Sequence, residues 1–216
     1  MSLPVILIWA AAASVPQDVV PRANNMGWFY LHYSGDTKAT DGSTFFKLIV
    51  GRDGKPEQCV VLLSTHNAAL NKAVCIHAMK FSYKPALDGQ GQPTYGVAET
   101  MVNFQADRGG TIYLQQPDFI VDLAAVPEGL PPQSYVKVAV EVDEQGMLKA
   151  CNPGAPVKDQ GKLNAVVTQM QKIACKQLPL LWDSLVETNL EKKRISYVRT
   201  IRVGFEKQKD GVAAEK

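Results

Sequence analysis

The stretch GRDGKPEQCVV, residues 51–61, places a turn-forming Asp-Gly pair between two apolar runs, and a cysteine follows five residues after the glycine. The stretch DEQGMLKACNP, residues 143–153, lies 92 positions further along and repeats the same separation between glycine and cysteine. Glycine supplies the positive φ that a tight hairpin turn requires. The two stretches therefore predict two equivalent hairpins and indicate that a module is duplicated within the chain.

The pattern of apolar residues extends this match on both sides of the turns. Valines at 136, 138, 140 and 142 alternate with other residues, which is typical of a half-buried strand. A helical pattern containing a second cysteine follows each hairpin, and each copy closes on a strand that ends in Val-x-Phe. We therefore predict an α+β fold of two tandem β-β-α-β modules, each a small antiparallel sheet with one helix packed on it.

The N-terminus predicts export of the chain. Residues 3–13 are uncharged and apolar, and Ala11 and Ala13 would occupy the small-residue positions before a signal-peptide cleavage site. At helical rise this run covers about 16 Å, roughly half of the hydrocarbon core of a membrane. We expect a mature chain that starts at Ser14 and has no membrane span; a buried N-terminal strand is the alternative interpretation.

These patterns divide the chain into segments. Pro and Gly cluster in VPEGLPPQ, residues 126–133, which is typical of a connector. The predicted segments are a signal peptide at 1–13, an extension at 14–42, the first module at 43–106, a connector at 107–133, the second module at 134–208 and a tail at 209–216.

The four cysteines predict disulfides. Three pairings are formally open, and the repeat favours Cys59 with Cys75 and Cys151 with Cys175. Each bridge would stabilise its module by about 3 kcal/mol in the chain-entropy model. Disulfides require an oxidising compartment, which agrees with the predicted export. The cysteine spacings contain no close pair of the kind that zinc sites use, so we predict no metal site.

No pattern of residues indicates catalysis or nucleic-acid binding. His77 lies two residues from Cys75, and positions i and i+2 of a helix do not face one another. Gly89 and Gly91 lack the preceding strand and following helix of a dinucleotide site. The 23 basic and 21 acidic residues leave a net charge of +2, too small for a nucleic-acid surface. We predict no catalytic residue, no cofactor and no nucleic-acid partner.

The first copy resembles the C-terminal domain of the TonB family of energy-transducing proteins. The resemblance rests on the hairpin VGRDGKPEQC, the helix entry STHNAAL, the strand start FSYKPA and the closing VNF. The pair Cys59 and Cys75 is similar to the variant of this family that carries an internal disulfide. The second copy, VKVAVEVDEQGMLKAC through IRVGF, resembles the same domain more distantly, because WDSLVET lacks the proline that Pro85 supplies in the first copy.

This resemblance implies a domain in the periplasm of a Gram-negative bacterium whose last strand takes up a short peptide from an outer-membrane receptor by strand addition. It implies free edges at residues 97–104 and 195–205. Energy transduction needs a membrane anchor and a long Pro-rich spacer, which residues 14–42 do not contain, so we expect an accessory binding protein of TonB-dependent transport. The implied partner-binding residues are Val97, Glu99, Met101, Asn103, Arg199, Ile201, Val203 and Phe205.

Two alternatives stay open at this point. In the first, the protein is structural or self-associating, and its sheet edges are paired with each other or within a homodimer. In the second, it is an enzyme with a site between the modules, where the apolar segment 111–126 joins them.

Overall fold

The computed structural model of the protein describes residues 15–21, 42–64, 68–104, 116–125, 135–153 and 161–207. The predicted signal peptide and C-terminal tail lie outside these ranges. The strands are β1 (Val20–Pro21), β2 (Gly42–Val50), β3 (Pro56–Ser64), β4 (Tyr83–Lys84), β5 (Ala86–Leu87), β6 (Pro93–Phe104), β7 (Phe119–Leu123), β8 (Tyr135–Val142), β9 (Leu148–Asn152), β10 (Glu187–Thr188), β11 (Arg194–Ile195) and β12 (Tyr197–Lys207). The helices in the described ranges are α1 (Ala68–Ala78) and α2 (Gly161–Leu181).

Eight of these strands form one mixed sheet. Its order is β3-β2-β6-β12-β8-β9, with β5 added beside β6 and β7 beside β12. The hairpin strands and the last strand of each half pair antiparallel. The two halves join where β6 and β12 run parallel, through the pairs Tyr95–Tyr197, Gly96–Val198 and Val97–Arg199.

The predicted fold of two small antiparallel sheets is therefore wrong. About half of the described residues lie in strands, and the strands of both halves belong to the same sheet. The physical reason is that the last strand of a three-stranded module leaves one row of backbone N–H and C=O groups without partners. Pairing β6 with β12 satisfies part of both rows at once.

The local pattern around each turn glycine recurs within this shared sheet. Gly54 has a φ of 80° and Gly146 a φ of 82°. The carbonyl of Gly54 accepts a hydrogen bond from the Tyr83 amide at 2.9 Å, and that of Gly146 accepts one from the Leu185 amide at 3.0 Å. The repeat in the sequence thus corresponds to equivalent turns, while the sheet that contains them is common to both halves.

The sheet has a core on each face. Neighbouring residues of a strand point to opposite faces. Leu48 accordingly packs with α1 residues Leu70 and Val74 on one side, and Ile49 packs with α2 residues such as Met170 on the other. Because β6 and β12 run parallel, the second half is related to the first by a rotation about an axis along the strands, which places the two helices on opposite faces. We call these the α1 face and the α2 face.

Parts of the predicted connector and N-terminal extension belong to the folded structure. Strand β7 pairs in parallel with residues 203–207 of β12, and Phe119 stacks on Trp182 with ring centroids 5.6 Å apart. Residues 15–21, which we call the N-terminal strap, pair with β4 through β1 and exchange backbone hydrogen bonds between Gln17 and Leu87. Val19 of the strap is buried in the core of the α1 face.

Candidate functional site

The residues predicted to bind a partner lie in strands that pair inside the sheet. Val97 pairs with Ile49 on one side and with Arg199 on the other. Val203 pairs with Val136 and with Phe119. These are therefore not edge positions. Of the remaining predicted residues, Glu99, Met101 and Asn103 pair with β2, Ile201 pairs with β8, and Phe205 pairs with β7.

The two ends of the strand order are β3 and β9, the second strands of the two hairpins. Among the described strands, β3 pairs only with β2, and β9 pairs only with β8. The disulfides Cys59–Cys75 and Cys151–Cys175 form, as the repeat predicts, and each ties one of these outer strands to the helix that packs beside it. Strand β3 is nine residues long and β9 is five, so β3 offers the longer edge.

A shallow groove of about 870 Å³ follows the outer edge of β3, and we call it the β3 groove. Four consecutive residues, 57–60, line it. Because alternate side chains of a strand point to opposite faces, four consecutive residues can share one groove only if it runs along the strand edge. Ile76 of α1 and Met79, directly after its end, form one wall, and Leu190 in the turn between β10 and β11 contributes to the other. The groove thus combines residues from both halves.

Hydrogen bonds and an ion pair position the second wall. The side-chain nitrogen Nε2 of Gln58 donates a hydrogen bond to the backbone carbonyl of Thr188 at 3.3 Å. Lys47 Nζ lies 2.7 Å from Glu187 Oε2. The Asn189 side chain accepts hydrogen bonds from the amides of Glu191 and Lys193, at 3.1 and 3.0 Å, and so closes the turn. The wall is therefore held against β2 and β3 by side chains of both strands.

The surface around the β3 groove is unusually apolar for an outer strand. Natural edge strands are commonly protected by charged side chains or proline. Here Val60, Leu62 and Leu63 are exposed on β3, with Leu63 retaining 56% of its accessible surface. Ile76 and Leu190, on the opposite walls, are exposed as well. The charged side chains that line the groove are Glu57, Lys80 and Lys192.

A second feature lies in the centre of the sheet, where Glu99, Asp118, Arg199 and Arg202 form what we call the central charge cluster. Glu99 Oε2 lies 2.9 Å from Arg199 Nη2 and 3.5 Å from Arg202 Nη2, and Asp118 Oδ1 lies 2.6 Å from Arg202 Nη2. Both arginines are buried, at 7% exposure. The cluster joins β6, β12 and the segment that precedes β7. The TonB resemblance implies that Glu99 and Arg199 lie on free edges, and nothing in local periodicity shows that they pair.

Asp18 of the N-terminal strap lies next to this cluster on the α1 face. The Thr200 hydroxyl donates to its carboxylate, and the backbone amide of Val19 donates to Asp18 Oδ1 at 2.7 Å. Burial raises the pKa of Asp18 from 3.8 to about 6 despite these hydrogen bonds and the nearby charge of Arg199. Burial also raises the pKa of Tyr83 to about 12.

The described part of the chain gives no indication of a metal centre: it contains no group of three or more His, Cys, Asp and Glu side chains that could hold an ion. None of its helices is long and apolar enough to cross a membrane. All four cysteines are in disulfides, which is typical of proteins that fold in an oxidising compartment such as the periplasm or the extracellular space.

Comparison with known proteins gives no match: no protein-family model, no curated protein and no solved structure is significantly similar to this chain. The resemblance to the TonB family therefore depends on the quoted sequence elements alone.

Proposed function

We propose that the protein is a periplasmic binding protein that takes up an extended segment of a partner protein by strand addition along β3. The observation that carries the proposal is the β3 groove, in which the outer edge of a nine-residue strand lies between two exposed apolar walls. In strand addition, main-chain hydrogen bonds to the open edge supply affinity, and pockets for alternate side chains supply selectivity.

The side chains around the groove suggest the chemistry of the partner segment. One set of its alternate side chains would contact Ile76 and Met79, and the other set would contact Leu190, so we expect apolar residues on both faces. Lys80 and Lys192 line the groove with a single acidic residue, Glu57. We therefore expect an acidic residue near an end of the segment, because it would pair with these lysines.

The disulfide Cys59–Cys75 would prepare the groove for binding. Cys59 lies in the groove floor and Cys75 in α1, with their Cα atoms 5.5 Å apart, so the bridge holds the floor and one wall together. A rigid groove loses less conformational freedom when the partner segment binds.

The location in a Gram-negative periplasm and a role as an accessory of TonB-dependent transport are the finer parts of this proposal. They rest on the signal-like N-terminus and on the TonB resemblance, and the two disulfides support an oxidising location. A segment of an outer-membrane receptor is the partner that the resemblance implies. The proposed strand differs from the family expectation, since it is the second hairpin strand and not the last strand of the domain.

A peptide titration tests the proposal. The probes are nine-residue peptides that alternate Val and Leu and carry Glu at both ends, with a Gly/Ser-rich peptide of the same length and charge as the negative control. Amide hydrogen exchange of the oxidised protein should show new protection in residues 56–64 when the alternating peptides are added. The variant Leu62→Lys should abolish the protection, because a charge on an edge strand opposes pairing. The matched control Leu180→Lys, on the exposed end of α2, should leave it unchanged.

Three results would contradict the proposal. The first is the absence of any peptide-dependent protection at residues 56–64. The second is protection that survives Leu62→Lys. The third is a concentration-dependent increase in molecular mass together with protection of β3 in the absence of peptide, which would assign the edge to self-association of this chain.

A further inference from the structure

A cavity of about 360 Å³ lies on the α1 face, away from the β3 groove. Its apolar part is formed by Phe46 and Leu48 of β2, Val102 of β6, and Val74 of α1. The N-terminal strap contributes Val19 on the opposite side. The cavity therefore lies between a helix, the sheet and the strap, a common location for a small-molecule site.

The other end of the cavity is polar and lies between β6 and β12. These two strands pair only through residues 95–97 and 197–199, and beyond this point Thr200 and Arg202 of β12 line the cavity together with Glu99 and Thr100 of β6. Lys137 of β8, which is exposed, also lines this end. The cavity thus combines an apolar body with a polar end.

One polar atom at this end lacks a partner. Arg202 is 7% exposed and uses Nη2 in its ion pairs with Glu99 and Asp118, whereas its buried Nε has no hydrogen-bond acceptor among the described residues. A buried donor without an acceptor costs about 1–3 kcal/mol. The same burial closes this atom to a water-sized probe, so an acceptor oxygen of a ligand would remove the cost only after the Arg202 side chain turned towards the cavity.

One positively charged side chain at this end is not compensated by an ion pair. Arg199 and Arg202 are compensated by Glu99 and Asp118 through direct ion pairs. Among the described residues Lys137 has no ion-pair partner, and it lines the cavity together with Asp18. Burial raises the pKa of Asp18 to about 6, so this carboxyl is mostly neutral below pH 6 and then does not oppose a bound anion.

We infer that this cavity binds a small amphiphilic monocarboxylate, with its carboxylate between Arg202 and Lys137 and its apolar chain against Phe46, Leu48 and Val74. Since a water-sized group occupies about 30 Å³, the cavity has room for on the order of a dozen such groups. Decanoate, with twelve non-hydrogen atoms, is therefore a suitable probe.

Isothermal titration of the oxidised full chain with sodium decanoate tests this inference. We expect saturable one-to-one binding. Ala98→Phe, which fills the apolar part of the cavity, should weaken binding by at least about tenfold. Lys137→Gln changes an exposed residue and leaves the core intact, so it should weaken binding several-fold without affecting folding. Lys84→Gln, an exposed lysine on β4, is the matched control and should bind decanoate like the unchanged protein.

Probes with other head groups separate the charge of the ligand from its apolar chain. Decanol and decylammonium carry the same chain, and we expect both to bind more weakly than decanoate. Equal or tighter binding of decylammonium would overturn the anion assignment. Absence of decanoate binding, or binding that both Ala98→Phe and Lys137→Gln leave unchanged in folded protein, would overturn the site itself. None of these outcomes depends on the β3 groove.

Discussion

Glu99 shows how a single residue can have opposite meanings in sequence and structure. From the sequence, the TonB resemblance implies that it lies on an edge strand and contacts a partner. In the structure its carboxylate lies between Arg199 and Arg202, where the two halves of the sheet meet. Both arginines are buried, and the carboxylate compensates the charge of Arg199, while Asp118 makes the shorter ion pair with Arg202.

We predict that Glu99→Gln lowers the free energy of unfolding by about 3–5 kcal/mol, since removing one member of a buried ion pair leaves the other charge uncompensated. Urea denaturation would measure the change. The matched control is Glu191→Gln, which removes an exposed pair with Lys193 and should cost less than about 1 kcal/mol. Equal losses of unfolding free energy in the two variants would show that the central charge cluster stabilises the protein no more than an exposed ion pair does.

Asp18 gives a prediction for the pH dependence of stability. Its pKa is about 6 in the folded protein and 3.8 in the unfolded reference, so between these values the folded state binds more protons. Stability should therefore fall as pH rises from about 4 to about 6, by roughly 2 kcal/mol from this group.

Asp18→Asn should remove this dependence and make the protein more stable than the unchanged chain at pH 7. Thermal unfolding between pH 4 and pH 7 would measure it. The control is Asp53→Asn. Asp53 is exposed, and hydrogen bonds from Lys55 lower its pKa. Its contribution to stability is therefore lost only when the pH falls below the measured range, so this variant should keep the pH dependence of the unchanged chain. A pH profile that Asp18→Asn leaves unchanged would contradict the prediction.

At the scale of elements, the two disulfides have the same position relative to the sheet. Each connects an outer strand to a helix, across sequence separations of 16 and 24 residues. In the chain-entropy model the stabilisation depends only weakly on loop length, so the two bridges should contribute about 3 kcal/mol each and differ by about 0.4 kcal/mol.

The paired variants Cys59→Ser with Cys75→Ser, and Cys151→Ser with Cys175→Ser, test this symmetry by urea denaturation. Hydrogen exchange adds a local measurement, because loss of the first bridge should increase exchange in β3 more than in β9, and loss of the second should do the reverse. A much larger loss from one pair would show that the equivalent bridges have unequal structural roles.

At the scale of the whole molecule, the sequence predicts what is local. The turn glycines, the alternating valines of β8 and the cysteine pairing all follow from short-range patterns. The pairing of β6 with β12 joins residues about one hundred positions apart, and strand periodicity is the same whether a strand has one neighbour or two. The groove between β3 and the turn at 189–193 could not be predicted for the same reason, since it requires the two halves to share a sheet.

A shared sheet predicts that the two halves unfold together. Leu48 and Val140 are fully buried in the cores of the α1 face and the α2 face. Leu48→Ala should cost about 2–5 kcal/mol and Val140→Ala somewhat less, through lost burial and the cavities left behind. Because β6 and β12 connect the cores, each variant should lower the midpoint of one common transition and increase exchange of protected amides in both halves. If Leu48→Ala increased exchange only in residues 42–104, the halves would be separate cooperative units, and the β6–β12 pairing would contribute little to the stability of the protein.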